Sequence, residues 1–387
     1  MPTFSLKRAL MGTLTASGVI GSLVAGGCAD RNPPVGPDTI PDTIIDTTPP
    51  PPPVPPPPPV PLPPAVMLAA GDIADCGLAH DSLTALLLDG VPDSSSQGWP
   101  VVVAALGDLA YPSGTDAEFG NCYGPTWGRH RYRTRPAVGN HEYNTPNAQG
   151  YFNYWGLRTG AEGKGWYSYD LGKWHVVVLN SNWRSPARIG TGPDSEQMQW
   201  LRNDLASSSR QCQVAYFHHP RFSSSARGAD TGMAHAWRIL NEYGVELVLA
   251  GHEHYYERFA PMDADGNRDD AYGVRQFISG MAGTHNGGTT FGTIHPLSET
   301  RQNSTTGILK LTLDSTFYRW EFLAVPGRGD YSDSGRGECH GPRPMGTAQV
   351  LGRAGRRLLE TVQDASQPVP LLWPDAHERA IRRSTSD

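Results

Sequence analysis

The sequence predicts an α/β fold with either one mixed sheet or two sheets, and with helices outside. Short apolar, β-branched runs alternate with helical patterns in the first part of the chain. Later runs follow one another closely, which favours antiparallel pairing. Five of the runs end at a polar cluster, and α/β folds place their sites at such strand ends. These observations predict a layered core with one site at a sheet edge.

The individual elements follow in chain order from residue 65, where folded structure is expected to begin. Strands are predicted at residues 66–70, 101–106, 135–138, 167–171, 175–179, 212–217, 245–250, 274–279, 307–313 and 317–325. Helices are predicted at residues 78–88, 195–205 and 234–243. The Gly172-Lys173 pair predicts a hairpin between the fourth and fifth strands. After residue 325 the chain turns to glycine, arginine and proline, which we interpret as a tail.

Composition supports a sizeable folded domain and argues against one class of partner. The chain has 387 residues, of which 38% are hydrophobic, so it can bury a large core. Its formal net charge of -6, without a basic run, argues against nucleic-acid binding. An anionic substrate is compatible with this charge if metal ions supply local positive charge.

The N-terminal region resembles an export signal followed by a spacer. Lys7 and Arg8 precede an apolar, small-residue stretch, and Ala25-Gly26-Gly27-Cys28 resembles a bacterial lipoprotein box. Either Cys28 is lipidated, or an ordinary signal is cleaved and the cysteine is incidental. A proline-rich, polyproline II linker follows. The predicted boundaries are 1–28 for the signal peptide, 29–64 for the disordered linker, 65–340 for the folded domain and 341–387 for a disordered C-terminal tail.

Four cysteines lie beyond the linker, and none of them forms a CxxC pair. An even number in an exported protein predicts two disulfides rather than a structural zinc site. Of the three possible connectivities, we favour Cys76–Cys122 together with Cys212–Cys339. Each bond is expected to contribute about 2–4 kcal/mol.

The strand-end clusters together form a set of metal-ligating side chains. In Gly251-His252-Glu253-His254 the two histidines are two positions apart, and such residues share a face in extended chain. The whole set holds two carboxylates, a phenol, an amide oxygen and three imidazoles: Asp72, Asp108, Tyr111, Asn140, His218, His252 and His254. Seven donors exceed the needs of one zinc centre and suit two ions that share a carboxylate. Oxygen donors mixed with imidazole favour iron, manganese or zinc.

The spacing of these clusters resembles the calcineurin-like metallophosphoesterases, and within them the purple acid phosphatases. The matching motifs are Gly71-Asp72, Gly107-Asp108-x-x-Tyr111, Gly139-Asn140-His141-Glu142, Val214 with His218-His219-Pro220, and Gly251-His252-x-His254. General metallophosphoesterases carry a histidine where this chain has Ala74, and Tyr111 is the purple acid phosphatase substitution for it. The resemblance covers residues 66–325. It implies the metallophosphoesterase-type α/β sandwich, two mixed β-sheets flanked by helices, for a catalytic domain at 65–340.

The resemblance also implies a role for each residue. Asp72, Tyr111 and His254 would hold a ferric ion. Asp108 would bridge to a divalent partner (zinc, manganese or ferrous iron) held by Asn140, His218 and His252. His141 would donate a proton or stabilise charge beside the phosphate, oriented by Glu142. Val214 precedes His218 by four positions, whereas the family usually has three, so His219 is the alternative ligand.

Three further residues are candidate substrate-binding residues, and each has a simpler alternative. His219 follows a predicted ligand, but a structural or exposed role is the alternative. Arg258 has the charge to meet a phosphate, or it pairs with Glu257 or another acid. His285 lies in a glycine-rich loop that reaches the cleft or remains solvated.

The function implied by the resemblance is hydrolysis of phosphate monoesters through attack by metal-bound hydroxide. The alternatives are a phosphodiesterase or nucleotidase on the same scaffold, or a cell-surface binding protein with vestigial metal ions. The expected partners are a small phosphorylated substrate and a membrane, the latter only through an N-terminal lipid anchor. The protein is expected to be exported to a bacterial cell envelope, lipid-anchored or extracellular.

Overall fold

Two β-sheets pack face to face, and helices cover the outer side of each. This computed structural model describes residues 64–93, 98–284 and 289–344. The strands are β1 Ala65–Ala70, β2 Ala74–Asp75, β3 Val101–Leu106, β4 Ala110–Tyr111, β5 Thr134–Ala137, β6 Tyr167–Leu171, β7 Trp174–Val178, β8 Cys212–Tyr216, β9 Leu247–Ala250, β10 Tyr256–Phe259, β11 Arg275–Ser279, β12 Ser298–Gln302, β13 Gly307–Leu313, β14 Phe317–Ala324 and β15 Ser334–Glu338.

Within the described residues, five α-helices and several shorter turns connect these strands. The α-helices are α1 His80–Asp89, α2 Asp116–Glu118, α3 Gln149–Trp155, α4 Glu196–Ser207 and α5 Ala234–Glu242. A π-helical turn spans Phe119–Tyr123, and 3-10 turns span Trp127–Arg133, Glu142–Asn144, Pro146–Ala148, Gly156–Thr159 and Thr231–Met233. No helix in the described ranges is both long and apolar enough to cross a bilayer.

Both sheets are mixed, as the sequence predicts. The first has the order β15-β14-β13-β1-β3-β5, with β1, β3 and β5 parallel and the remaining pairs antiparallel. The second has the order β12-β10-β11-β9-β8-β7-β6, with four parallel strands between antiparallel outer pairs. Five of the parallel strands are buried along their whole length, which explains their continuous apolar sequences: β1, β3, β7, β8 and β9.

Alternating side chains of β1 show how the layers are built. Met67 packs into the core between the sheets together with Leu249 of β9. Leu68 points to the other face and packs with Leu88 of α1. A third core lies between the second sheet and helices α4 and α5. Because successive side chains of a strand face opposite sides, one run of apolar residues joins two cores.

Both predicted disulfides are present in the structure. Cys76, just after β2, is bonded to Cys122 in the π-helical turn, with Cα atoms 5.0 Å apart. Cys212, at the start of β8, is bonded to Cys339 after β15, with Cα atoms 5.4 Å apart. The second bond ties the C-terminal end of the described chain to the second sheet.

The interpretation of all residues after 325 as a tail is wrong for their first part. β15 pairs with β14 in antiparallel register. A Cβ at Gly335 would lie 2.2 Å from the ring of Trp320, and one at Gly337 would lie 2.3 Å from Tyr318. The glycines therefore permit close strand packing rather than a loop. The predictions for residues 1–63, His285 and 345–387 fall outside the described residues and remain predictions.

Candidate metal centre

The five predicted strand-end clusters meet at one edge of the two sheets. Asp72, Asp108 and Asn140 follow β1, β3 and β5 of the first sheet, whereas His218 and His252 follow β8 and β9 of the second. Backbone hydrogen bonds join the two sheets at this edge, from the Gly71 N–H to the Ser279 carbonyl at 2.9 Å and from the Ala282 N–H to the Gly71 carbonyl at 3.2 Å. The structure thus brings together residues that are up to 182 positions apart in the chain (72 to 254).

Three of the predicted ligands form a first group. The Tyr111 hydroxyl lies 3.0 Å from Asp72 Oδ1 and 3.4 Å from His254 Nε2. The distance between His254 Nε2 and Asp72 Oδ1 is 3.3 Å. The three ligand atoms therefore form a triangle around one point.

A second group lies beside the first. His218 Nε2 is 3.1 Å from Asn140 Oδ1 and 3.2 Å from His252 Nδ1. Ligand atoms of Asp72, Asp108 and His218, and separately those of His218, His219 and His252, all lie within 4.8 Å of one another.

Asp108 connects the two groups through a single oxygen. Its Oδ2 atom is 3.1 Å from the Tyr111 hydroxyl and 3.1 Å from His218 Nε2. Atoms that coordinate one ion with bonds of about 2.0–2.2 Å lie roughly 3–3.5 Å from one another. The spacing and the donor types therefore fit two metal ions that share the Asp108 carboxylate.

Backbone strain is concentrated at three of the predicted ligands. Asp72, Asp108 and His252 have φ angles of 60°, 51° and 70°, in the left-handed region that non-glycine residues rarely adopt. Close packing around these residues explains why position 139 of the third motif is a glycine. A Cβ at Gly139 would lie 2.1 Å from Asp108 Oδ1. Strain of this kind persists only where the surrounding structure enforces it.

Hydrogen bonds outside the ligand groups orient the ligands. His218 Nδ1 lies 2.9 Å from the carbonyl oxygen of Leu106, so this nitrogen carries the proton and Nε2 faces the other ligands. Asp72 Oδ2 accepts the backbone N–H of His252 at 2.8 Å, and Asp108 Oδ1 accepts that of His141 at 2.8 Å. Each carboxylate thus keeps one oxygen for the backbone and directs the other into the centre.

The electrostatics of the protein chain alone couple the buried acids to the histidines. Burial opposes ionisation of Asp108, but His218 and His141 hold the pKa of that carboxyl below its usual range. Burial lowers and Asp108 raises the pKa of His218, to about 9 overall. Burial and the neighbouring His218 lower the pKa of His252 to about 3. Burial and the charge of Asp108 raise the pKa of Tyr111 well above its usual value. A bound cation favours the deprotonated form of each ligand.

His141 lies at the mouth of the centre, and Glu142 does not orient it. The His141 ring is about one-third exposed, with Nε2 3.9 Å from Asp108 Oδ2 and Nδ1 2.7 Å from the carbonyl oxygen of Pro112. Glu142 is fully buried and accepts backbone N–H groups of Gly139 and Asp108 at 2.7 and 3.0 Å. The predicted orienting role of Glu142 is therefore wrong, because its carboxylate stabilises the backbone that carries Asp108.

The predicted substrate-binding residues have different surroundings. The His219 ring lies 4.5 Å from that of His252, and its Nδ1 is 2.8 Å from Ser181 Oγ, so it borders the centre. Burial and the charge of His218 lower the pKa of His219 well below its usual value. Arg258 instead pairs with Asp333 at 2.8 Å and with Glu299, which leaves no free cation for a substrate. The substrate-binding prediction for Arg258 is therefore wrong, and its ion-pair alternative is correct.

A cavity of about 220 Å³ opens beside the second ligand group, and most of its wall was not predicted. Asn140 and His219 line it, together with Trp183, Arg184 and Asp230. Trp183 and Arg184 belong to a polar segment that follows β7. This segment is a sixth strand-end cluster, and its position after an apolar strand was the available signal in the sequence.

Comparisons with known proteins agree with this architecture. The sequence matches the Calcineurin-like phosphoesterase family over residues 57–256. It is 32% identical over 155 residues to an uncharacterized protein of Mycobacterium tuberculosis, which covers 34% of this chain and 29% of that protein. It is 29% identical over 222 residues to human acid phosphatase type 7, which covers 49% of each chain. The chain thus spans less than half the length of these relatives.

Among solved structures, the fold is similar to a purple acid phosphatase from yellow lupin seeds. The TM-score is 0.54 at 18% sequence identity, and the alignment covers 70% of this chain and 53% of the lupin chain. At this identity the similarity supports the fold, and it confirms the predicted α/β sandwich with two mixed sheets.

Proposed function

The chain belongs to the calcineurin-like phosphoesterase family, and on that basis we propose that it is a two-metal phosphoesterase that hydrolyses phosphate monoesters. The observation that carries this proposal is the position of Asp108 Oδ2, 3.1 Å from both the Tyr111 hydroxyl and His218 Nε2. A shared carboxylate oxygen between two ligand groups is the arrangement that a dinuclear centre requires.

The two ligand groups differ in a way that supports two different metals. Asp72 and Tyr111 supply oxygen atoms and His254 one nitrogen, which suits a ferric ion. Asn140, His218 and His252 supply one oxygen and two nitrogens, which suits zinc, manganese or ferrous iron. When bound, such ions supply positive charge for the phosphoryl oxygens and lower the pKa of a water molecule.

The chain's own residues provide the remaining parts of the reaction. The Pro112 carbonyl fixes the proton of His141 on Nδ1, so Nε2 faces the centre. With a proton on Nε2 as well, His141 is placed to protonate the leaving alkoxide. His219 has a strongly lowered pKa and stays neutral, so it donates or accepts a hydrogen bond without adding charge.

Metal analysis combined with two substrates tests the proposal. We expect about two metal ions per chain and faster release of 4-nitrophenol from 4-nitrophenyl phosphate than from its bis-ester. Asp108→Asn should lower the metal content and activity together, whereas Asp265→Asn, at an exposed surface ion pair, should retain both. Preference for the bis-ester would favour a phosphodiesterase, and bound metal without hydrolysis of either ester would favour a binding protein.

We also propose that the protein is exported and anchored through Cys28. The lipoprotein-box resemblance of Ala25-Gly26-Gly27-Cys28 supports this proposal, as do the two disulfides, since such bonds persist in oxidising compartments. Metabolic labelling with palmitate in a bacterial host should mark the wild type and not Cys28→Ser. An unlabelled, fully released wild type would contradict the anchor.

A further inference from the structure

The cavity beside the candidate metal centre contains a cation that the proposed reaction does not use. Arg184 lines this cavity, and its guanidinium lies 4.5 Å from the centroid of the Trp183 ring. Within residues 64–93, 98–284 and 289–344, no carboxylate forms an ion pair with it. A guanidinium that borders a cavity without a counter-ion is suited to bind a planar or tetrahedral anion.

The ring beneath Arg184 is held rigidly. Trp183 Nε1 donates to Asp230 Oδ1 at 2.9 Å, and the same oxygen accepts the backbone N–H of Gly232 at 2.6 Å. A Cβ at Gly232 would lie 1.9 Å from Trp183 Nε1, so the indole packs directly on the backbone. Because the platform is fixed, little conformational entropy is lost when an anion binds the stacked guanidinium.

The same cavity reaches the predicted ligands and limits the size of the occupant. Asn140, whose Oδ1 belongs to the second ligand group, lines one side, and Arg184 lines another. The volume of about 220 Å³ is below the range of about 300–1,000 Å³ that is typical of larger ligands. A phosphate at the ligands would therefore place a short alcohol group in the cavity.

We propose that Arg184 binds a second anionic group of the substrate. The preferred substrates are then small phosphate esters whose alcohol part carries a carboxylate or second phosphate close to the ester bond. Asp230 is the one acid that lines the cavity among the described residues, and its Oδ1 is engaged by two N–H donors. This inference rests on the proposed function, because it places the scissile phosphate at the metal ligands.

Two esters of equal length test the role of Arg184. Ethyl phosphate and 2-phosphoglycolate differ in a terminal methyl against a carboxylate, and phosphate release gives kcat/KM for each. The wild type should prefer 2-phosphoglycolate, and Arg184→Gln should reduce that preference by about tenfold or more, as expected for a lost charge-assisted hydrogen bond. Arg188→Gln removes an equal charge from the same loop, outside the cavity lining, and should keep the preference.

Binding provides a second measurement that does not depend on turnover. The affinity for methylenediphosphonate relative to methylphosphonate, measured by calorimetry with metal-loaded protein, should fall in Arg184→Gln and not in Arg188→Gln. Equal ratios in the wild type and Arg184→Gln, in both kinetics and binding, would overturn the inference. If the wild type hydrolyses neither ester but Arg184→Gln still weakens the diphosphonate selectively, the proposed hydrolysis fails and the Arg184 anion site stands.

Discussion

The buried carboxylate of Glu142 accepts the backbone N–H of Asp108 at 3.0 Å. Its other oxygen accepts the N–H of Leu109 at 2.7 Å, so one side chain holds the turn that carries the candidate bridging ligand. The family resemblance implied that Glu142 orients His141. The structure assigns it to a segment more than 30 positions earlier in the chain.

Glu142→Gln should therefore destabilise the protein as well as its metal centre. The amide has one acceptor instead of two, so buried N–H groups lose their partner. We expect the free energy of unfolding to fall by about 1–3 kcal/mol. Denaturant titration measures this loss. Glu196→Gln, at an exposed pair with Lys164, is the matched control and should change the free energy by less than about 0.5 kcal/mol. Equal effects of the two substitutions would contradict the assigned role.

Tyr111→Phe should remove the visible colour of the metal centre while the protein remains folded. A tyrosinate bound to ferric iron gives a visible charge-transfer band, and the phenylalanine variant lacks the oxygen. Because burial holds the pKa of Tyr111 well above its usual value, a chelator should also remove the band from the wild type. Absorption spectra measure both effects. Tyr132→Phe, at an exposed tyrosine, should keep the band. A colourless wild type that hydrolyses phosphate esters would exclude ferric iron.

The two disulfides should differ in their contribution to stability. Cys76–Cys122 closes a separation of 46 residues and Cys212–Cys339 one of 127. Chain entropy predicts about 4 kcal/mol for the shorter loop and about 5 kcal/mol for the longer one. The double variant Cys212→Ala/Cys339→Ala should therefore unfold at a lower denaturant concentration than Cys76→Ala/Cys122→Ala. The free energy of unfolding should fall with denaturant concentration at the same slope in both variants. The reverse order would show that native packing, rather than loop entropy, dominates.

His175 should make stability depend on pH. Burial opposes its protonation, but hydrogen bonds to Asp204 at 2.8 Å and Asp170 at 3.1 Å outweigh burial and raise the pKa of His175. A raised pKa means that its stabilising contribution is complete below the unfolded value of about 6.5 and is lost as pH rises through the folded pKa. The difference in unfolding free energy between the wild type and His175→Gln should therefore shrink as pH rises above about 6.5.

His235 provides a control for which the pH dependence of stability has the opposite sign. Burial and the nearby Arg202 lower the pKa of His235, so protonation destabilises the fold. The stability of the wild type relative to His235→Gln should rise as pH increases through about 6.5. Parallel pH curves for the His175 and His235 variants would contradict both assignments.

The features that the sequence could predict are those that local patterns determine. Apolar runs followed by Gly-Asp, Gly-Asn or Gly-His located four strand ends, and the run before His218-His219-Pro220 located the fifth. Close convergence of Asp72 with His254 followed from the shared sheet edge. Strand β15 was missed because its glycines resemble a loop until Trp320 and Tyr318 lie against them.

The cavity wall and the role of Glu142 could not be predicted for a different reason. Arg184 lies near the predicted ligands only because β7 pairs with the ligand-bearing strand β8, and no local pattern encodes that neighbour. Likewise, the partners of Arg258 are Asp333 and Glu299, which are distant in the chain. Such roles depend on tertiary placement, which periodicity and motif spacing do not contain.

Asp72, Asp108 and His252 have left-handed backbone conformations, so selection for thermal stability and selection for activity should favour different residues at these positions. Glycine adopts this conformation without strain, so a library screened only for heat resistance should enrich glycine or asparagine at these three positions. A library screened for growth on an organic phosphate should keep the original residues. Deep sequencing of the two populations would show at which positions the protein keeps residues that lower its thermal stability but are needed for activity. The comparison requires neither a purified enzyme nor a chosen substrate.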